Sequence, residues 1–239
     1  MKKLILLLLA LALGLGSASA QDLKSLGKKV LGGGGNDNQE IGQALKEALD
    51  KGVQKGVAEL SATDGYYKSI YKILLPDEAR KVTDKLKTVP GFGNLENDLV
   101  EKMNRGAEKA AKEAAPIFAG AIKNMSFQDA TNILMGPDNA ATEYLKRTTW
   151  QQLYDKFNPV IVKSLDEIGA NELWGNATTA YNKIPFVSKV NTDLDDHVTR
   201  KALDGLFGKI QEEEKNIRKN PGARTSDLLK KVFARQDRK

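Results

Sequence analysis

The stretch QEIGQALKEALDKGVQKGVAEL, residues 39–60, decides the fold. Ile41, Ala44, Leu45, Ala48, Leu49, Val53, Val57 and Leu60 recur at three and four residues, the period of one face of an α-helix, and charged or amide side chains fill the opposite face. Gly52 and Gly56 stand one turn apart; each costs about 1 kcal/mol against alanine in a helix, and together they let a second helix approach closely.

Upstream of this helix, Gly32-Gly33-Gly34-Gly35-Asn36-Asp37-Asn38 reads as a linker following a short amphipathic segment that carries Leu23, Leu26, Val30 and Leu31. It lacks the Gly-Lys-Ser/Thr ending of a phosphate-cradling loop. Earlier still, Lys2 and Lys3 precede the apolar run Leu4–Leu13, and Ser17-Ala18-Ser19-Ala20 supplies small residues. That order is a signal peptide, with cleavage expected before Gln21, because the run is short for a bilayer span of about 20 residues. No cysteine follows it to accept a lipid, so the expected protein is periplasmic or secreted, without a transmembrane anchor after cleavage. The expected organisation is 1–20 signal peptide, 21–38 amphipathic segment and linker, and 39–239 a single all-helical domain.

Downstream, the spacing predicts a helix from Pro76 to about Lys87 after the tyrosine-rich segment Tyr66–Leu75, where Tyr66, Tyr67 and Tyr71 read as amphipathic side chains at a core edge. Asn94 is the expected cap of a helix with Leu95, Leu99, Met103, Ala107, Ala110 and Ala114 inward, and Pro116 must end or kink it. Ser126 with Asp129 forms a capping pattern for Phe127–Met135, stopped by Gly136-Pro137. A short helix over 139–146 is expected next. A separate longer one capped by Thr149 follows, carrying Trp150, Leu153, Tyr154, Phe157, Val160, Ile161 and Leu165, with Pro159 a kink at most and Gly169 its end. The remaining helices are expected from Asn171 to Tyr181, from about Asp193 to Asn220-Pro221-Gly222, and from Thr225 or Ser226 onward with Leu228, Leu229, Val232 and Phe233 inward. No period-two alternation of β-branched residues occurs, so the fold class is all-α, a single multi-helix domain of about eight to ten helices with no significant sheet.

Composition narrows function. The chain has no cysteine, which excludes disulfides, thiolate metal sites and cysteine nucleophiles and leaves stability to a packed core. Loss of Lys2 and Lys3 with the signal would leave 35 of the 37 basic residues against 31 acidic ones, a mild excess of +4 interleaved along the chain, which excludes a nucleic-acid signature. His197 is the sole histidine, so two-histidine zinc motifs are absent. There is no Gly-x-Ser-x-Gly elbow in the expected mature chain, and the Ser25/Lys28 and Ser69/Lys72 pairs lack their companion elements. No catalytic residue, cofactor or metal is therefore expected, and the two sequons at Asn124 and Asn176 read as incidental.

Three polar groups remain as candidate ligand or partner contacts. Asp195, Asp196 and His197, with Asp193, open a helix, where carboxylates are favoured by capping and the dipole even without a ligand. An EF-hand is excluded there, since a loop begun at Asn191 has neither the glycine nor the glutamate it needs. Arg147-Thr148-Thr149 and Arg224-Thr225-Ser226 each place an arginine before hydroxyl residues expected to cap a helix, a design that can hold an anion on free amides and a guanidinium. The alternative is that the hydroxyls only cap and the arginines pair with carboxylates. Glu212-Glu213-Glu214 reads as a solvated helix face. The candidate site is thus Arg147, Thr148, Asp195, Asp196, His197 and Arg224, with an envelope protein or an anionic ligand as partner. A carboxylate-dependent hydrolase of envelope polymers and a peripheral membrane protein are the alternative functions.

ALKEALDKGV from residue 44, MSFQDATNIL from 125, AATEYLKRTT from 140, VNTDLDDHVTRKALDGLF from 190 and EEEKNIRKNPGARTSDLLKKVF from 212 resemble a family of exported bacterial proteins catalogued as domain-of-unknown-function family 4197. The resemblance covers most of the chain after the linker. It implies an exported helical single domain and carries no activity, cofactor or catalytic residue with it.

Overall fold

The computed structural model describes residues 20–190 and 193–234, and the signal-like segment over 1–19 and the basic tail over 235–239 lie outside the described residues. Among the described residues nine α-helices follow one another: α1 (Ala20–Ser61), α2 (Asp77–Leu86), α3 (Leu95–Ala111), α4 (Ala114–Asn124), α5 (Phe127–Met135), α6 (Ala140–Glu167), α7 (Ala170–Tyr181), α8 (Leu194–Lys219) and α9 (Asp227–Phe233). A single 3-10 turn, Pro221–Ala223, precedes α9, and no strand occurs among the described residues.

α8 packs against α6, α1 and α3. α6 runs antiparallel along one side of it, as Trp150 stacks on Phe207, Tyr154 meets Asp196 and Asn158 meets Thr199. α1 runs antiparallel along another side. At Gly56 an added Cβ would sit 3.3 Å from Lys209 Cγ, and at Gly52 3.5 Å from Glu213 Cβ, so the glycine step does bring the two backbones together. α3 packs on α6, α8 and α1, α4 and α5 close the α1 side, and α2 pairs with α7. The apolar positions read from residues 39–60 are all buried, as are Leu95, Leu99, Met103, Ala107, Ala110 and Ala114. Because burial of this kind is worth roughly 25 cal/mol per Å² of apolar surface, the helix stripes carry the fold.

Besides the helix expected to carry Ala114, which ends at Ala111 and leaves Ala114 and Pro116 in the first turn of α4, three local expectations change. The bounds of α1 take in Gly32–Asn38, where the sequence suggests a linker. A helix already nucleated over 41–60 gains one hydrogen bond per added residue, which offsets part of the glycines' cost. Secondly, the helices expected on either side of Arg147-Thr148-Thr149 are one helix, α6. Thr149 is buried, and its hydroxyl donates to Leu145 O at 2.7 Å, as Thr148's does to Tyr144 O at 2.8 Å. With Thr149 counted as a core position, Ala141, Leu145, Thr149, Leu153, Phe157, Ile161 and Leu165 form an unbroken stripe at four-residue spacing through Pro159. Thirdly, Asn94 occupies the cap position of α3 without capping it, because its Oδ1 accepts from the Asn97 side-chain amide instead of a backbone N–H. Elsewhere the caps are as read. Ser126 and Asp129 complete a capping box, Asp193 caps α8, and Ser226 accepts from Leu229 N–H at the start of α9.

Candidate functional site

α8 positions two polar regions, one at each end. At its start, Asp193 accepts from Asp196 N–H at 3.0 Å. The Asp196 carboxylate in turn accepts from Arg200 Nε at 2.9 Å and from Tyr154 hydroxyl at 2.6 Å. Arg200, then Tyr154, hold Asp196 below the usual aspartate range, and the same bond pushes the Tyr154 hydroxyl up. Asp195 goes the other way: burial raises it, only partly offset by a bond from Asn171, and its Oδ1 is buried without a hydrogen-bond partner. His197 Nε2 lies 2.8 Å from Leu74 O. A carbonyl only accepts, so Nε2 carries a hydrogen.

The segment facing these residues, Tyr66–Pro76, is irregular yet tightly tied down. Tyr66 is fully buried, its hydroxyl donating to Ala202 O at 2.7 Å, and Glu108 accepts from the N–H groups of Tyr66 and Tyr67. Arg105 bridges Glu108 and Asp64 at 2.8 Å each. Asn104, wholly buried on α3, holds Ile73 by both backbone groups: Ile73 N–H donates to Oδ1 at 2.9 Å and Nδ2 donates to Ile73 O at 2.8 Å. Tyr71 packs beside Gly208, and burial together with a bond to Glu212 raises its hydroxyl far above the ordinary value. Tyr67 and Tyr71 are therefore core-edge side chains, whereas Tyr66, expected beside them, lies wholly inside the core. Lys72 and Arg105 lie over the Tyr67 ring at 4.4 and 5.1 Å.

Between this segment and the first turns of α8 lies an open groove of about 550 Å³, within the range of small-ligand and peptide sites. Ile70, Tyr71, Leu74 and Pro76 give its apolar wall, and His197, Lys201, Asp204 and Asp77 its polar one. Ile73 and Leu75 point into the core, whereas Leu74 between them is 56% exposed and Ile70 83%. The raised carboxyl, Asp195, does not line the groove. Among the described residues no group of three histidines or carboxylates is placed to hold a metal ion.

The six residues read from sequence are not one site. Asp195, Asp196 and His197 share the first turn of α8, and only His197 reaches the groove. Arg147 and Thr148 are exposed in mid-α6, with the Arg147 guanidinium 5.6 Å from the Tyr144 ring centre, so no free helix-start amides lie beside them. Arg224 sits past the far end of α8, about 39 Å away along a helix of 26 residues. It is buried, donating to Ile217 O at 3.1 Å and Arg218 O at 2.8 Å. Two of its bonds thus go to the last carbonyls of α8.

That far end also overturns the solvated reading of the glutamates. Glu213 and Glu214 are buried. Glu214 accepts from the N–H groups of Ala141 and Thr142 at 3.0 and 2.9 Å and from Thr142 hydroxyl, so it caps α6 from another helix. Arg218 pairs with Glu214 at 2.9 Å and donates to Ile133 O and Leu134 O, the closing carbonyls of α5. An anion at a helix start and a cation at a helix end both match the helix dipoles. The signal was present in sequence: Glu214 falls between Ile210 and Ile217 on the apolar stripe, as Asn104 falls between Val100 and Ala107.

The family model described as protein of unknown function (DUF4197) matches residues 35–234. The chain belongs to this family. The match takes in every helix from the second half of α1 to α9, so the groove and the buried Glu214–Arg218 pair are both parts of the DUF4197 domain. No curated protein and no solved structure matches the chain. The family's description assigns no activity, and the function of this DUF4197 protein is unknown. No helix among the described residues is long and apolar enough to cross a membrane.

Proposed function

We propose that this DUF4197 protein is an exported, non-enzymatic binding module of the periplasm or secreted fraction, and that its groove takes an apolar segment of an envelope protein. The display of Ile70 and Leu74 carries the reading. Their segment is fixed by Asn104, Glu108 and His197, yet these two side chains stay in solvent, where burying each would gain roughly 1.5–3 kcal/mol. A surface that is rigid underneath and apolar on top suits capture of apolar side chains, with His197, Lys201 and Asp204 at hand for a peptide's polar groups. Export is supported by the order of charged, apolar and small residues over 1–20.

A photoreactive residue at position 74, introduced in cells, is expected to give an adduct with one envelope protein that disappears when Ile70→Ser is added. Intact-mass measurement of the isolated chain is expected to start it at Gln21. Adducts unaffected by Ile70→Ser would remove the groove from the proposal, and an uncleaved chain in the cytoplasm would remove export.

A further inference from the structure

The connection after α7 is a closed loop with a single aromatic side chain at its tip. Asn182, which follows α7, holds Val190 in both directions: its Nδ2 donates to Val190 O at 3.2 Å, and Val190 N–H donates to its Oδ1 at 3.0 Å. Ile184 and Val187 pack back against the core, leaving Pro185-Phe186 as the apex turn. Phe186 has φ +65, a left-handed conformation that glycine or asparagine adopts with less strain. The residue is 107% exposed, so no burial among the described residues repays that conformation. Lys183 and Lys189 stand exposed three residues to either side, and the 182–190 stretch contains no carboxylate.

We propose that the 182–190 loop is a membrane-touching finger for an anionic bilayer surface, in which Phe186 enters the interface and Lys183 and Lys189 meet lipid phosphates. Charge complementarity chooses a bilayer over a protein face. The apex is convex, its one large apolar group is flanked by cations on both sides, and an aromatic ring with ammonium groups beside it matches the layering of acyl chain beneath phosphate. The mild basic excess, +4 once Lys2 and Lys3 are removed from the +6 of the full sequence, acts in the same direction. The site is independent of the groove, and neither Ile70 nor Leu74 takes part.

The test is co-sedimentation of the protein as isolated from cells with vesicles of phosphatidylcholine alone and of phosphatidylcholine mixed with phosphatidylglycerol. Binding is expected only to the mixed vesicles and to weaken as salt is raised. Phe186→Ser is expected to lower affinity about tenfold and Lys183→Gln or Lys189→Gln about fivefold each. Circular dichroism of each variant should stay unchanged, since all three side chains are exposed. Phe186→Trp should keep binding and shift its fluorescence to the blue on adding mixed vesicles. Wild-type protein that stays in the supernatant, or Phe186→Ser that binds as tightly as wild type, would overturn the proposal. So would a Phe186-dependent crosslink to a protein in the absence of any vesicle binding.

Discussion

The two ends of α8 carry nearly the same side-chain chemistry and use it in opposite ways. At and just past the last turns, Glu214, Arg218 and Arg224 are buried, and their bonds include ones to the free backbone groups of α6, α5 and α8 itself. At the first turns, His197, Lys201 and Asp204 face an open groove, and Asp195 keeps a buried oxygen without a partner. The contrast teaches that a charged side chain on this fold is architectural where it terminates another helix and is available where it faces an irregular segment. Helix ends leave up to four backbone groups unpaired, and burial makes each of them costly. The packed end had to be closed by side chains, whereas the groove end could be left to solvent or to a partner.

The largest expected effect breaks the packed end. Arg218→Met strands Glu214 and two carbonyls of α5, and should lower unfolding free energy by about 3–5 kcal/mol in urea titration. A loss under 1 kcal/mol would mean that the pair does not close the ends of α5 and α6. Asn104→Ala comes next, at about 2 kcal/mol, since it removes two buried bonds to Ile73. It should also loosen the segment bearing Leu74, seen as faster amide exchange over 66–76 and not over α6.

Titration sharpens the comparison at the groove end. Asp195 is raised by burial, so its ionised form penalises the fold at neutral pH, and that penalty fades as pH falls through its folded value. Asp195→Asn should therefore raise the thermal midpoint at pH 7 and leave it unchanged below about pH 3. Asp196 is lowered by Arg200 and Tyr154, so its stabilisation is present above the unfolded value of about 3.9 and is lost as pH falls through the folded one. Asp196→Asn should lower the midpoint at pH 7 and converge with wild type in acid. Smallest of all, Ile70→Ser with Leu74→Ser should change stability by no more than about 0.5 kcal/mol, because both side chains are exposed. A large loss would show that they serve the fold rather than a partner.

Local chemistry was readable from the chain. The three-and-four spacing of Ile41 to Leu60, the Ser126/Asp129 box, the Asp193 and Ser226 caps and the stop at Gly169 each depend on residues within one or two turns, and all stand as read. Thr149 misled because a threonine caps a helix or bonds back within one by the same hydroxyl, and only the continuous stripe around it distinguishes the two. The glutamates misled for a different reason. Charge predicts solvent unless a partner is known, and the partners of Glu214 lie 72 and 73 residues away in sequence.

The sequence by itself determined an all-helical chain, where most helices begin and end, and which faces they bury, since those follow from near-neighbour periodicity and capping. Tertiary structure alone decided that Arg224 and Glu214 are helix terminators, that Arg147 stands apart from His197, and that Ile70 and Leu74 line a groove. Each of those depends on which helix ends meet across the core, and helix packing brings together residues that no local spacing relates.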